Sequence, residues 1–199
     1  MNTVNTPALG FNLLLRTDSY KASHWLQYPP GAKKVHSYIE ARGGMFAGGV
    51  FFGLQAYLQE YLTRPITRDD VDEATAIFAA HGEPFNREGW LQIIERHGGR
   101  LPVEIRAVAE GTVVPTRNAL LTIENTDPDF YWLVSYLETE LLRAVWYPTT
   151  VATLSAAAKG TILRYLEATS DDPQGQIAFK LHDFGARGVS KHSDINNAA

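Results

Sequence analysis

Between Phe51 and Gly99 the apolar residues recur at helical spacing, and from Leu101 onward the period switches to two. That change of period constrains the chain most. It requires a block of helices packed beside a block of strands, a mixed α and β architecture with the two kinds of element partly segregated. Phe51, Leu54, Leu58, Tyr61 and Leu62 define one amphipathic helix. A second is expected from near Thr67, with Val71, Ala74, Ile77 and Phe78 turned inward. Asn86 can cap a third that carries Trp90, Ile93 and Ile94 and stops at Gly98-Gly99. Leu101, Val103, Ile105 and Ala107 then alternate as in a half-buried strand, and Val113-Val114 and Leu120 to Ile123 read as further strands.

The flanks follow the same rules. Residues 1–10 are expected to be a loose N-terminus. Thr17, Asp18 and Ser19 offer caps for a helix toward Gln27, which Tyr28-Pro29-Pro30-Gly31 ends. Val35 to Glu40 alternates as a strand, and Gly43, Gly44, Gly48 and Gly49 mark a mobile loop. Asp127-Pro128 is a capping carboxylate followed by proline, so a helix should start there and end before Pro148. Thr149 or Thr150 should cap the next helix, to about Ala168. A last short strand is expected over Ile177 to Leu181. A strand and loop with no partner downstream suggest an α/β unit cut short.

Composition narrows the function. The 199 residues suffice for one domain or a domain and part of another, and their net charge of -4 includes no long basic stretch. Nucleic acid is therefore not an expected partner. With no cysteine, disulfides and thiolate metal sites are excluded, and the 6 histidines show no metal spacing. No apolar run has the length of a membrane span, and no signal peptide is visible, so no membrane partner and a cytoplasmic location are expected.

Three segments can carry chemistry. Thr17-Asp18-Ser19-Tyr20-Lys21 stands at an expected helix N-terminus, whose free N–H groups suit anions; its plainer reading is a cap with a surface Tyr and Lys. Arg42, between a strand and a glycine-rich loop, can fork onto a phosphate or be a solvated loop arginine. In His182-Asp183-Phe184-Gly185-Ala186-Arg187-Gly188, Phe184 can stack on a flat ring and Arg187 can hold a phosphate or carboxamide oxygen. The plainer alternative makes Phe184 core, Arg187 a surface charge and His182-Asp183 a local pair. Glu138 and Glu140 lie too far apart around a helix to face each other and read as solvated. Phe130-Tyr131-Trp132 reads as packing.

These same segments carry a resemblance. Asn12 to Lys21 (NLLLRTDSYK), Gln27-Tyr28-Pro29-Pro30, Ser37 to Arg42 (SYIEAR) and Phe52-Gly53-Leu54-Gln55 are followed by Leu101-Pro102-Val103-Glu104-Ile105. Next come Glu124-Asn125-Thr126-Asp127-Pro128, Trp146-Tyr147-Pro148 and Lys180 to Ser190 (KLHDFGARGVS). In this order, from about Phe11 to Ser190, they resemble the nicotinamide phosphoribosyltransferase family.

The resemblance implies the N-terminal mixed α+β domain of a type II phosphoribosyltransferase over residues 11–148 and the beginning of an incomplete α/β barrel over 149–199. It implies transfer of ribose 5-phosphate from phosphoribosyl pyrophosphate to nicotinamide, for NAD salvage, with Mg²⁺ accompanying the pyrophosphate and no protein ligand for the metal identified. It implies a homodimer whose sites draw on both subunits. Phe184 would form one side of the nicotinamide sandwich and Tyr20, from the second subunit, the other. Arg187 would contact the base or the sugar phosphate, Asp18 would lie near the base pocket, and Arg42 would reach phosphate across the interface.

Three departures stand out. Ala186 replaces an expected aromatic, and the loop from Gly43 to Gly49 is shorter than in the vertebrate-like members of that family. After Ser190 the sequence leaves the family pattern, and the family's catalytic histidine, base-recognising aspartate and main phosphate loops have no counterpart. The expectation is an enzyme part that needs a separate C-terminal half for turnover. The alternatives are a truncated non-catalytic binding or remnant protein, or part of a nicotinate phosphoribosyltransferase.

Overall fold

The computed structural model describes residues 12–188. Among these residues there are five strands: β1 (His36–Glu40), β2 (Gly48–Val50), β3 (Val103–Ala107), β4 (Val113–Pro115) and β5 (Ala119–Asn125). The helices are α1 (Leu54–Tyr57), α2 (Arg68–His81), α3 (Arg87–His97), α4 (Leu133–Tyr136), α5 (Glu138–Thr169) and α6 (Pro173–Ile177). A π turn, Leu58–Leu62, prolongs α1. Short 3-10 helices cover Leu13–Leu15, Ser19–Leu26, Pro128–Phe130 and Gly185–Gly188. The architecture is mixed α and β, as the two periods require.

The central sheet has the order β1-β5-β3, and β2 pairs with β4 in a second, two-stranded sheet. Ile123 of β5 stands opposite Ser37 on one side and Ile105 on the other, both pairings antiparallel. As the middle strand, β5 buries Leu120, Leu121 and Ile123. The core on which it rests is aromatic and aliphatic: Trp90, Phe51, Phe130, Leu14, Ile93 and Leu133 are fully enclosed. Trp90 meets Trp132 and Tyr136 edge-on at 5.0 and 5.1 Å between ring centroids, a favoured arrangement of the ring quadrupoles.

Local chemistry sets α2 and α3 where the sequence places them. The Thr67 hydroxyl accepts the Asp70 N–H while the Asp70 carboxylate takes the Thr67 N–H, a reciprocal cap. Asn86 accepts the Gly89 N–H at the start of α3. Gly82 and Gly98 end the two helices at φ 75° and 59°, left-handed values that suit glycine.

Elsewhere the structure corrects the reading of the sequence. Gly48 and Gly49 lie in β2 and not in a loop; a Cβ on Gly48 would come 2.9 Å from the Val114 carbonyl oxygen, so a glycine permits this close pairing. The helix expected to follow the Asp18 cap is a 3-10 helix, and Asp18 makes no capping bond with its side chain. The helix expected from Asp127-Pro128 begins with a 3-10 turn and α4 before α5.

Pro148 does not end a helix, and no new helix starts at Thr149 or Thr150. Instead α5 runs 32 residues through Pro148. Proline leaves the Ala144 carbonyl without its helical N–H partner. That carbonyl lies against Gly53, where a Cβ would stand 2.6 Å from it. Around this point Thr149 Oγ1 bonds both the N–H and the carbonyl of Phe52, each at 3.2 Å. These tertiary contacts carry the helix past the proline. Finally, the strand expected over Ile177 to Leu181 is replaced by α6 and a turn. Asp172 accepts the Gly175 N–H with Pro173 in the first helical position, which winds the segment. Among the described residues every strand pairing is antiparallel, so the parallel strands of an α/β barrel are not represented there.

Candidate functional site

The five residues singled out by the sequence fall on three surface segments. Tyr20 is 54% exposed on the 3-10 helix Ser19–Leu26. Asp18 precedes it, and its carboxylate accepts the Thr139 hydroxyl at 2.8 Å. Lys21 packs inward beside the Tyr20 ring. Its ammonium is buried and donates to Glu138 Oε2 at 2.5 Å. The anion site expected at this helix start therefore lacks its amine, because Lys21 is committed to a carboxylate inside the protein.

Beside this, Arg16 Nε donates to Glu140 Oε1 at 3.1 Å and the Tyr57 hydroxyl donates to Glu140 Oε2 at 2.7 Å. Burial first, and then the adjacent Glu140 charge, push the Tyr57 hydroxyl far above its ordinary pKa, so it is a fixed donor. Glu140 is 3% exposed, which corrects its reading as a solvated residue. Glu138 is on the surface but paired. The helical period held the missing signal: residues 137, 140, 141, 144 and 148 share one face, and all are buried.

Arg42 follows β1 and is exposed. Among the described residues no carboxylate lies within ion-pair distance of it, so its forked donors are available. Gly43 and Gly44 continue at φ 127° and 147°, and with Met45, Thr149, Thr153 and Leu154 they edge an open pocket of about 320 Å³. Thr153 Oγ1 accepts the Val50 N–H at 2.9 Å, which fixes β2 to α5 beside this pocket.

Phe184 is 71% exposed, so it is not a core residue. The Arg187 guanidinium lies 6.0 Å from its ring centre. His182 and Asp183 do not form the local pair considered from sequence. The His182 ring meets the Phe179 carbonyl at 3.1 Å, and Asp183 Oδ1 accepts the Gly185 N–H at 2.6 Å, which shapes the turn before Arg187. No ring contact joins Tyr20 to Phe184 among the described residues; Tyr20 meets His24 at 5.2 Å instead. One chain thus displays two separate exposed rings, each with cationic or polar neighbours, and a free arginine at a third place. Among the described residues no three His, Asp or Glu side chains stand together as a metal site, so no metal ligand is assigned. No helix among them is long and apolar enough to cross a membrane.

Comparison with known proteins gives this arrangement a class. The crystal structure of human nicotinic acid phosphoribosyltransferase superposes with a TM-score of 0.53 at 23% identity, over 78% of this chain and 29% of that one. The fold is that of a phosphoribosyltransferase N-terminal region. Residues 12–105 match the family model described as nicotinamide phosphoribosyltransferase, N-terminal domain. The nicotinamide phosphoribosyltransferase of Xanthomonas campestris pv. campestris is 62% identical over 179 residues, 90% of this chain and 38% of that protein. That of Acinetobacter baylyi is 31% identical, again over 90% of this chain and 38% of its own length. The chain belongs to the nicotinamide phosphoribosyltransferase family and corresponds to its N-terminal portion. It spans less than two fifths of the length of these relatives.

Proposed function

We propose that this chain forms the N-terminal part of a nicotinamide phosphoribosyltransferase site, working in the cytoplasm in NAD salvage. The supporting observation is that the rings and arginines of the matching segments, Tyr20, Arg42, Phe184 and Arg187, all stand on the surface and not in the core. In the reaction the ring nitrogen of nicotinamide attacks C1 of the ribose, the bond from C1 to the pyrophosphate oxygen breaks, and pyrophosphate leaves with the electron pair. The products are nicotinamide mononucleotide and pyrophosphate.

The carbon passes through an oxocarbenium-like state. Catalysis then rests on holding the ring in line and on stabilising the charge that gathers on the leaving group. Tyr20 of one subunit and Phe184 of the other clamp the flat base, which explains why the two rings are apart in one chain. Arg187 contacts the base or the sugar phosphate, and Asp18 borders the base pocket. Arg42 reaches phosphate across a homodimer interface. Mg²⁺ bound with the pyrophosphate would offset the charge of the leaving group. The remaining groups that act on the sugar and phosphates belong to the part of the relatives that this chain does not cover.

A turnover assay tests the reading. The purified chain is given nicotinamide, phosphoribosyl pyrophosphate and Mg²⁺, alone and with a C-terminal segment corresponding to the rest of the Xanthomonas relative. Nicotinamide mononucleotide formed only with the added segment is the expected result. Efficient turnover by the chain alone overturns the need for a complement, and no product in either case overturns the enzymatic reading. Because the human structural neighbour is named for nicotinic acid, nicotinate is included as a competing base. A preference for nicotinate moves the assignment to that activity.

A further inference from the structure

Tyr20 is exposed, yet its ring has two close neighbours. The Lys21 ammonium lies 5.6 Å from the ring centre, and the His24 ring lies at 5.2 Å, tilted by 57°. Among the described residues the Tyr20 hydroxyl makes no hydrogen bond. The ring is therefore placed by these two contacts and by its backbone. Each neighbour is in turn anchored on the stretch that joins α4 to α5. Lys21 is held by Glu138, and His24 Nδ1 lies 3.3 Å from Ser135 Oγ. The Thr17 hydroxyl donates to the Tyr136 carbonyl at 2.9 Å, and Thr139 bonds Asp18. Ser135, Tyr136, Glu138 and Thr139 thus grip the segment that carries Asp18 and Tyr20.

We infer that Glu138, acting through Lys21, is a positioning residue for Tyr20 and so for the face presented to the base; this rests on the proposed function above. The Lys21 side chain is only 5% exposed, and Glu138 is its sole ion-pair partner among the described residues. An ammonium taken out of water needs that charge. Replacing Glu138 by a neutral side chain leaves the cation buried and unpaired. The flexible lysine then swings toward water and gives up its place beside the ring. Glu138 itself touches no substrate in this arrangement. Its effect is on where the ring rests, which governs binding of the flat base more than the later chemical step. Ser135 supports the second neighbour in the same way.

The test uses Glu138→Gln, Lys21→Met and the conservative Lys21→Arg, with Tyr20→Ala and Tyr20→Phe as references. In the chain itself, the ring resonances of Tyr20 are identified by their loss in Tyr20→Phe. Glu138→Gln and Lys21→Met should shift and broaden them, and Lys21→Arg should leave them close to the parent. In the form that turns over, the first two variants should raise KM for nicotinamide about 3- to 10-fold, the range expected for loss of one aromatic contact. Values of kcat and of KM for phosphoribosyl pyrophosphate should stay within about twofold, and Lys21→Arg should restore the nicotinamide KM. Unmoved Tyr20 resonances in Glu138→Gln overturn the inference. So does a fall in all kinetic constants together with the melting temperature, since that marks a general structural role. Tyr20→Ala separates the two levels. If it leaves nicotinamide binding unchanged, the site reading fails and this inference with it. If it weakens binding while Glu138→Gln does not, only the inference fails.

Discussion

Asp127 shows how much one carboxylate can join. Its Oδ2 accepts from Arg96 at 2.6 Å and from the His97 ring at 2.9 Å, while Oδ1 takes the Asp129 N–H at 3.0 Å. The end of α3 is thereby fixed to the turn that leads into α4. Burial alone would raise the carboxyl pKa, but the Asp129 N–H, His97 and Arg96 outweigh it and hold the group below the ordinary carboxylate value. The sign follows from linkage. The unfolded chain binds the proton first as pH falls, so this stabilisation is present above the ordinary value near pH 4. It is lost as pH drops through the lower folded value. Arg96 is partly exposed, so the contribution is modest, about 1 kcal/mol. Asp127→Asn should lower the melting temperature by about 2–4 °C at pH 7. The two melting curves should converge near pH 2. A constant gap from pH 7 to pH 2 would show that the charge is not what stabilises this junction.

At the scale of elements, the crossing of α1 and α5 is a tight constraint. Gly53 has φ 104°, and a Cβ there would meet the Ala144 carbonyl oxygen at 2.6 Å and the Pro148 ring at 2.7 Å. Gly53→Ala adds backbone strain to a clash with groups that cannot swing aside, so it should cost about 3 kcal/mol. Gly160, on the same long helix, has open space around it. Gly160→Ala should gain up to about 1 kcal/mol from helix propensity. Urea titrations read both effects as shifts of the midpoint in opposite directions with an unchanged slope. A Gly53→Ala midpoint equal to the parent's would mean that the helices separate freely.

This crossing also marks where the sequence stops being readable. Elements closed by their own caps, α2 between Thr67 and Gly82 and α3 between Asn86 and Gly98, stand where side-chain chemistry puts them, as do the alternating strands. The passage of α5 through Pro148 depends on Gly53 and Phe52, which are remote in the chain, and local rules give the opposite answer. The apolar run after Asp172 has strand propensity, but the cap and Pro173 impose a first helical turn. The site divides in the same way. The exposed Tyr20, Arg42, Phe184 and Arg187 stand in segments legible as motifs. The ties of Glu138 and Glu140 to Lys21 and Arg16 are tertiary and invisible in local spacing.

At the scale of the whole molecule, the described residues present apolar surface that their own core does not use. Trp146, Leu154 and Tyr165 on α5, and Phe179 and Phe184 beyond it, are large exposed hydrophobic residues. Apolar surface removed from water is worth roughly 25 cal/mol per Å², and a stable interface buries on the order of 1,600 Å² in total. Self-association as a homodimer is the expected outcome at micromolar concentration, and sedimentation equilibrium should show it. Trp146→Asp and Leu154→Asp should shift the equilibrium toward monomer, and because both side chains are already exposed, the far-ultraviolet circular dichroism should be unchanged. The prediction bears directly on the chemistry. On the proposed shared site, Tyr20 of one chain and Phe184 of another grip the flat base between them. Variants that dissociate the dimer should therefore lose nicotinamide binding along with it, even though neither substitution touches Tyr20 or Phe184. A chain that stays monomeric at micromolar concentration yet binds nicotinamide as tightly as the parent would remove the shared-site arrangement and require both rings to come together within a single protomer.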